Sequence, residues 1–192
     1  MNKEMLLDKY LPAYNFNEVH AVTIHASPEK AFAAIKELRP TELSQIVYWL
    51  MSVREFPAKL VGKPLPQKRS DKPFLEQLYE DGFIPLDEMP CREIVFGLIG
   101  QFWVLTGGRS PQIASPQEFL AFDHPDYAKV AANLAITDLG NGTVRCTTET
   151  RIHATNPATK KKFAFYWRLI SMGSGFIRVF WLNAIKRKAE LS

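Results

Sequence analysis

Residues 157–192 read PATKKKFAFYWRLISMGSGFIRVFWLNAIKRKAELS, and this stretch decides the fold. Pro157 suits the first turn of a helix, where a missing N–H costs nothing, and Thr155 and Asn156 stand just upstream as caps. Phe163, Trp167, Ile170, Ser174, Ile177, Trp181 and Ala184 recur at steps of four and three, so they share one stripe of a helix. Phe165, Leu169, Met172, Phe176 and Phe180 form a second stripe, leaving Arg168, Ser171, Gly175 and Arg178 as a narrow polar seam. A helix this apolar around its girth is expected to be gripped on more than one side, by a sheet, a second helix or a ligand. Met172-Gly173-Ser174-Gly175 breaks the run of good helix formers. Two interior glycines cost about 1 kcal/mol each against alanine. A kink or a short break is predicted there, read either as a hinge over a cavity mouth or as small residues that let the helix pass close to another backbone.

Working outward, Thr143 to Ala154 alternates cleanly as a strand. Val144, Cys146, Thr148, Thr150 and Ile152 face the expected core; Arg145, Thr147, Glu149, Arg151 and His153 face the expected solvent. Gly140-Asn141-Gly142 is a hairpin turn, and Tyr127 to Asp138 is the strand before it, with Val130, Ala132, Leu134 and Ile136 on one face. Glu118 to Phe122 is predicted as a brief strand. Cys91 to Leu105 is apolar on both faces, and Gly97 and Gly100 within it predict two strands or one strongly bent strand. Phe74 to Glu80 reads as helical turns closed by Asp81-Gly82, followed by an extended Phe83 to Leu86.

Near the amino end, Glu18 to His25 is a strand rich in β-branched residues. Ser27 caps and Pro28 opens a helix that runs to Leu38, and Thr41 caps a second helix that ends near Phe56-Pro57. Residues 57–73 are a proline-rich insertion loop, read either as a flap or as a solvated insertion. Met1 to Asn17 is expected to be a loose arm holding a short helix of Leu6, Leu7, Tyr10 and Leu11, ended by Pro12. The order is strand, two helices, several antiparallel strands, then one long helix. An antiparallel sheet with one wetted face needs cover on the other, and the terminal helix is the element large enough to supply it. The fold class is therefore α+β, a curved antiparallel sheet wrapped around a long C-terminal helix in a single domain, 1–192.

Composition agrees with that size. With 192 residues, 46% hydrophobic and 23% charged, the chain suits one domain with a full core. The net charge of +4 gathers at Lys160 to Lys162 and Lys186 to Lys188, which flank the apolar part of one helix and read as solvated ends. No dense basic face interleaved with aromatics is seen, so nucleic acid is not an expected partner. Cys91 and Cys146 have no paired spacing, which predicts neither disulfides nor zinc and fits a reducing cytoplasm. Met1 to Tyr10 lacks an apolar run of signal-peptide length. Arg168 and Arg178 argue against a membrane span at Phe163 to Ile185, while transient contact with a membrane surface stays open.

Several stretches together resemble the START-like, polyketide-cyclase-like helix-grip superfamily (SRPBCC). These are the first strand leading into Ala26-Ser27-Pro28-Glu29-Lys30-Ala31-Phe32, and the last strand leading into the long helix. More narrowly, residues 92–103, Phe122 to Tyr127, Thr148-Glu149-Thr150-Arg151, and Tyr166-Trp167-Arg168 with Gly173-Ser174-Gly175 look like an uncharacterised bacterial branch. The resemblance implies a cavity between the concave sheet and the last helix, a pocket for an apolar ligand with a few polar anchors. By that analogy Phe96, Trp103, Thr148, Thr150, Phe163, Trp167 and Ile170 line it, or else fill it as core.

For chemistry, the residues offer little. His20, His25, His124 and His153 lack metal-ligand spacing, and there is no phosphate-cradling loop and no nucleophile elbow. Neither a metal nor a cofactor is expected. Glu149, Arg151 and His153 share one strand face and would suit acid–base work only if that face turned inward. Arg168, on the polar seam, is expected to pair with Glu93 or Glu149, or to anchor an acidic headgroup. The leading expectation is a binding or carrier protein for a small hydrophobic or amphipathic ligand. The alternatives are a cyclase/dehydratase-type enzyme using the same cavity and a ligand-free interaction or stress-response module.

Overall fold

In the computed structural model, residues 4–42, 71–104 and 108–191 are described. The elements in order are α1 (Leu6–Tyr10), β1 (Phe16–Ile24), α2 (Pro28–Glu37), α3 (Phe74–Glu80), β2 (Ile84–Met89), β3 (Glu93–Gly100), α4 (Pro116–Ala121), β4 (Ala128–Gly140), β5 (Thr143–Ala154) and α5 (Pro157–Leu191). Of the expected helix from Thr41 to Phe56, Thr41 and Glu42 belong to a short 3-10 helix, Pro40–Glu42; the rest of it, and the 57–73 loop apart from its last three residues, lie outside the described residues.

The caps are where side-chain chemistry puts them. Ser27 Oγ accepts from Lys30 N–H ahead of Pro28, and Asn156 Oδ1 accepts from Thr159 N–H at 2.8 Å ahead of Pro157. Gly82, at φ +100°, ends α3 in a conformation that side chains resist. The 118–122 segment is helix and not strand: Ser115 Oγ accepts from Glu118 N–H at 3.2 Å, with Pro116 in the first turn. That Ser-Pro-x-Glu signature outweighs the short apolar run.

The sheet is wholly antiparallel, in the order β1-β5-β4-β3-β2, and curves around α5, which packs on β1, β5 and α2. β3 is one strand whose register with β4 runs unbroken from Glu93↔Ala135 to Gly100↔Ala128. Its Gly97 serves a close neighbour, since a Cβ there would stand 2.7 Å from Phe119 Cε2 and 2.9 Å from Leu86 Cδ1. The irregularity lies instead on β2, between Pro85 and Asp87.

The convex face is wetted at Arg145 and along β1 at Asn17, Val19, Ala21 and Thr23, but not over β2 to β4. Leu7, Tyr10, Leu11 and Phe119, from α1, the residue after it and α4, pack on Leu86, Val95, Ile99 and Ala131 to make a second core. Glu149 and Arg151 are therefore 8% and 6% exposed, against the expectation of a solvated face. Arg151 donates to Glu149 Oε1 at 2.7 Å, Asp8 Oδ1 at 2.8 Å and Leu11 O at 3.3 Å. Burial alone would lower its pKa, but the Glu149 and Asp8 carboxylates outweigh this and hold it above the ordinary value. Glu93 accepts from Leu6 N–H at 2.7 Å, Leu7 N–H at 3.2 Å and Asn133 Nδ2 at 2.8 Å, so it anchors the start of α1. The opening segment is thus docked, not loose.

Helix α5 is continuous through Gly173 and Gly175. A Cβ on Gly173 would meet nothing within 4 Å, whereas one on Gly175 would stand 2.6 Å from Glu18 Oε1, so the second glycine permits a close approach to β1. Among the described residues, the helix is gripped on one side only. Phe165, Leu169 and Phe176 are 70%, 69% and 57% exposed, because the sheet and α2 cover the opposite stripe.

Candidate functional site

Two rows of side chains cross the concave face. One runs Leu98, Val130, Ile152, Phe16 and the next Phe96, Ala132, Thr150, Glu18, each residue directly opposite its neighbour on the adjoining strand. Above these rows, Phe163, Tyr166, Trp167, Ile170, Ser174, Ile177, Arg178 and Trp181 descend from α5. Between sheet and helix lies a partly open cavity of about 340 Å³, lined also by Phe74, Leu78 and Phe83. Its lining is mainly apolar.

Phe96, Thr148, Thr150, Phe163, Trp167 and Ile170 are brought together on this cavity. Trp103 does not line it; its ring stands edge-on to Phe163 with centroids 6.3 Å apart, and Phe102 occupies the lining position. Arg168 is exposed on the outer side of α5 and does not reach the cavity. Ten residues further on, helical rotation of roughly 100° per residue brings Arg178 about 80° away from it, onto the inner side.

Arg178 makes the polar corner of the cavity. Its guanidinium donates to Thr150 Oγ1 at 2.8 and 3.2 Å, to Ser174 Oγ at 2.6 Å and to Glu18 Oε2 at 3.1 Å. His20 Nε2 in turn donates to Glu18 Oε1 at 2.7 Å. Arg178 and Glu18 are both mostly buried, and their ion pair, with the further hydrogen bonds to Thr150 and Ser174, is what makes such a burial tolerable. Neither Glu18 nor His20 is singled out by motif reasoning. Their signal is the period of two in β1, which sets Phe16, Glu18, His20, Val22 and Ile24 on one face.

Other groups border the site. Asp81 sits on the lining, and partial desolvation, with Glu80 beside it, pushes its carboxyl above the ordinary range. Thr148 Oγ1 donates to Asn133 O at 2.8 Å. Trp181 packs edge-on to Phe74 at 4.8 Å, and its buried Nε1 has no hydrogen-bond partner among the described residues. Cys146 is fully buried, and burial pushes its thiol up to about 12, so it is no nucleophile at neutral pH. Among the described residues, no three His, Cys, Asp or Glu side chains stand together as metal ligands, and no helix is long and apolar enough to cross a membrane.

No family model and no curated protein matches the sequence. Among solved structures, the chain is similar to the hypothetical protein jhp0584 of Helicobacter pylori at 13% identity and TM-score 0.43, over 98% of this chain and 97% of that one. It is also similar to TTHA0849 of Thermus thermophilus at 8% identity and TM-score 0.35, over 90% and 96%. A third is the Zhui aromatase/cyclase of a Streptomyces species, at 12% identity and TM-score 0.32, over 91% and 93%. At such values no activity transfers. On its own geometry, a five-stranded antiparallel sheet curved around a long C-terminal helix, the chain has a helix-grip fold.

Proposed function

We propose that the chain binds and carries a small amphipathic molecule in the cavity beneath α5. The observation that supports this reading is a cavity of about 340 Å³ with mainly apolar walls and one polar corner, within the roughly 300–1,000 Å³ typical of ligand pockets. The apolar part of the ligand lies against Phe96, Phe163, Trp167 and Ile170, and its polar end meets Thr150, Ser174 and Arg178. The test is titration of the purified chain with anilinonaphthalene sulfonate, alongside native mass spectrometry of the protein as isolated. Saturable one-to-one dye binding that Ile170→Trp abolishes by filling the space, and Thr150→Val weakens, is the expected result. Dye binding that Ile170→Trp leaves unchanged would send the ligand elsewhere, and no binding together with no co-purified molecule would end the proposal.

A second reading, acid–base chemistry of the cyclase/dehydratase type, is favoured by one observation. Asp81 is an exposed carboxyl on the lining, its pKa raised by partial desolvation and by Glu80, which is the direction that favours a proton donor. Turnover of a polyketide-like substrate that Asp81→Asn removes while dye binding persists would select this reading over simple carriage.

A further inference from the structure

The outward face of α5 is a long apolar stripe that nothing among the described residues covers. Phe165, Leu169, Phe176 and Val179 are 70%, 69%, 57% and 40% exposed, and at roughly 100° per residue they fall within about 80° of arc. The stripe is about 21 Å long at the helical rise. Cations frame it. Exposed Lys161 and Lys162 stand one turn before Phe165, exposed Arg168 lies at its flank, and exposed Arg187 follows it on the same side. Over its whole length α5 carries eight Lys and Arg against one Glu, a net +7 in a chain whose total is +4. That Glu190 is committed, accepting from His25 N–H at 2.8 Å with Lys186 at 3.6 Å.

This charge pattern decides between occupants. Against a second copy, parallel pairing of two such stripes sets Lys161 and Lys162 on their counterparts, and antiparallel pairing about the stripe's centre sets them toward Asn183 and Arg187. Neither arrangement brings a carboxylate to the seam, so like charges oppose both. An anionic lipid surface satisfies both parts of the face. The apolar side chains enter the boundary between headgroups and acyl chains, and the framing cations meet lipid phosphates. We infer that the chain docks on anionic phospholipid bilayers through the outer face of α5, lying in the plane of the surface. The inner face of the same turns, Trp167, Ile170 and Ser174, borders the cavity, yet the inference needs no ligand there.

Flotation of the full chain with vesicles made of equal parts phosphatidylglycerol and phosphatidylcholine tests it, with pure phosphatidylcholine vesicles and high salt as the contrasts. The chain is expected to float with the anionic vesicles at low salt and to be lost in both contrasts. Each surface cation contributes roughly fivefold in affinity, so Lys161→Gln with Lys162→Gln weakens binding by about 25-fold. Phe165→Ser and Phe176→Ser each weaken it by about tenfold, the low end for burying such a side chain. Because all four side chains are exposed, thermal midpoints stay in place and loss of binding is not loss of fold. Ile170→Trp, which fills the cavity, floats as the unmodified chain does. Absence of flotation, equal flotation with neutral vesicles, or retention by the serine variants would each overturn the inference. So would a dimer in sedimentation that the serine variants dissociate without any vesicle binding, which would give the face to a second copy.

Discussion

Replacing Gly175 by alanine sets two sizeable effects against each other. In an exposed helix interior the change is worth about 1 kcal/mol of stabilisation, because alanine loses less backbone freedom on folding. At Gly175 the new methyl would stand 2.6 Å from Glu18 Oε1 and 3.4 Å from His20 Nε2. The carboxylate is the end of a flexible side chain, so it moves before the helix does. In moving it gives up Arg178 Nη1 at 3.1 Å and His20 Nε2 at 2.7 Å. Hydrogen bonds to charged groups contribute roughly 1.5–3 kcal/mol each in such settings, so with one of the two lost Gly175→Ala is expected to destabilise by about 0.5–2 kcal/mol net, and by more if both are lost. Gly173→Ala, two residues away with nothing within 4 Å of its Cβ, keeps the full gain of about 1 kcal/mol. Urea unfolding of both variants measures the difference. In a Glu18→Ala background the obstacle is gone, and Gly175→Ala becomes stabilising. If Gly175→Ala stabilises the unmodified chain as much as Gly173→Ala does, the account of the polar corner as a tight packing of α5 on β1 is wrong.

Two further outcomes follow from the convex face. Arg151→Met strands Glu149 in a buried position and is expected to cost about 3–5 kcal/mol in urea unfolding, with much of that recovered when Glu149→Gln is added; a loss below about 1 kcal/mol would mean that α1 does not exclude water there. Hydrogen bonding from Lys9, with smaller help from Tyr10, holds the Asp87 carboxyl below its ordinary value of 3.8, so its contribution is complete above that value and is lost as pH falls through the depressed one. Protection against amide exchange at residues 6–11, taken relative to the intrinsic rate at each pH, should thus be constant between neutral pH and about pH 5 and fall below 3.8, while Asp87→Asn lowers it throughout.

What the sequence makes legible here is set by range. The inner stripe of α5 from Phe163 to Trp181, the Gly140-Asn141-Gly142 hairpin and the Ser27-Pro28 start are local patterns, and each stands where periodicity and capping put it. Failures arise where a partner comes from far away. Glu149 and Arg151 alternate with apolar residues as a wetted face does, and only a segment 143 residues upstream at Asp8 converts that face into an interior. Phe165 and Leu169 are as apolar as Phe163 and Trp167, and no local pattern says which side of a greasy helix the sheet will take. Arg168 and Arg178 share a polar seam on paper but differ by about 80° of rotation, enough to send one to solvent and the other to Thr150. The Ser115-Pro116-Gln117-Glu118 start of α4 is a readable signal that the brief apolar run beside it outshouts.

The anchoring of α1 carries a cost in time. Its hydrogen bonds go to Glu93, 87 residues downstream of Leu6, and to Arg151, 143 residues downstream of Asp8, and β1 pairs with β5 alone. A ribosome adds roughly 5–20 residues per second, so these opening elements emerge about 7–29 seconds before Arg151 is added. Until β2 to β4 have been made, Leu7, Tyr10 and Leu11 ride on the nascent chain without the Leu86, Val95, Ile99 and Ala131 side chains that bury them, where they are exposed to chaperones and to one another.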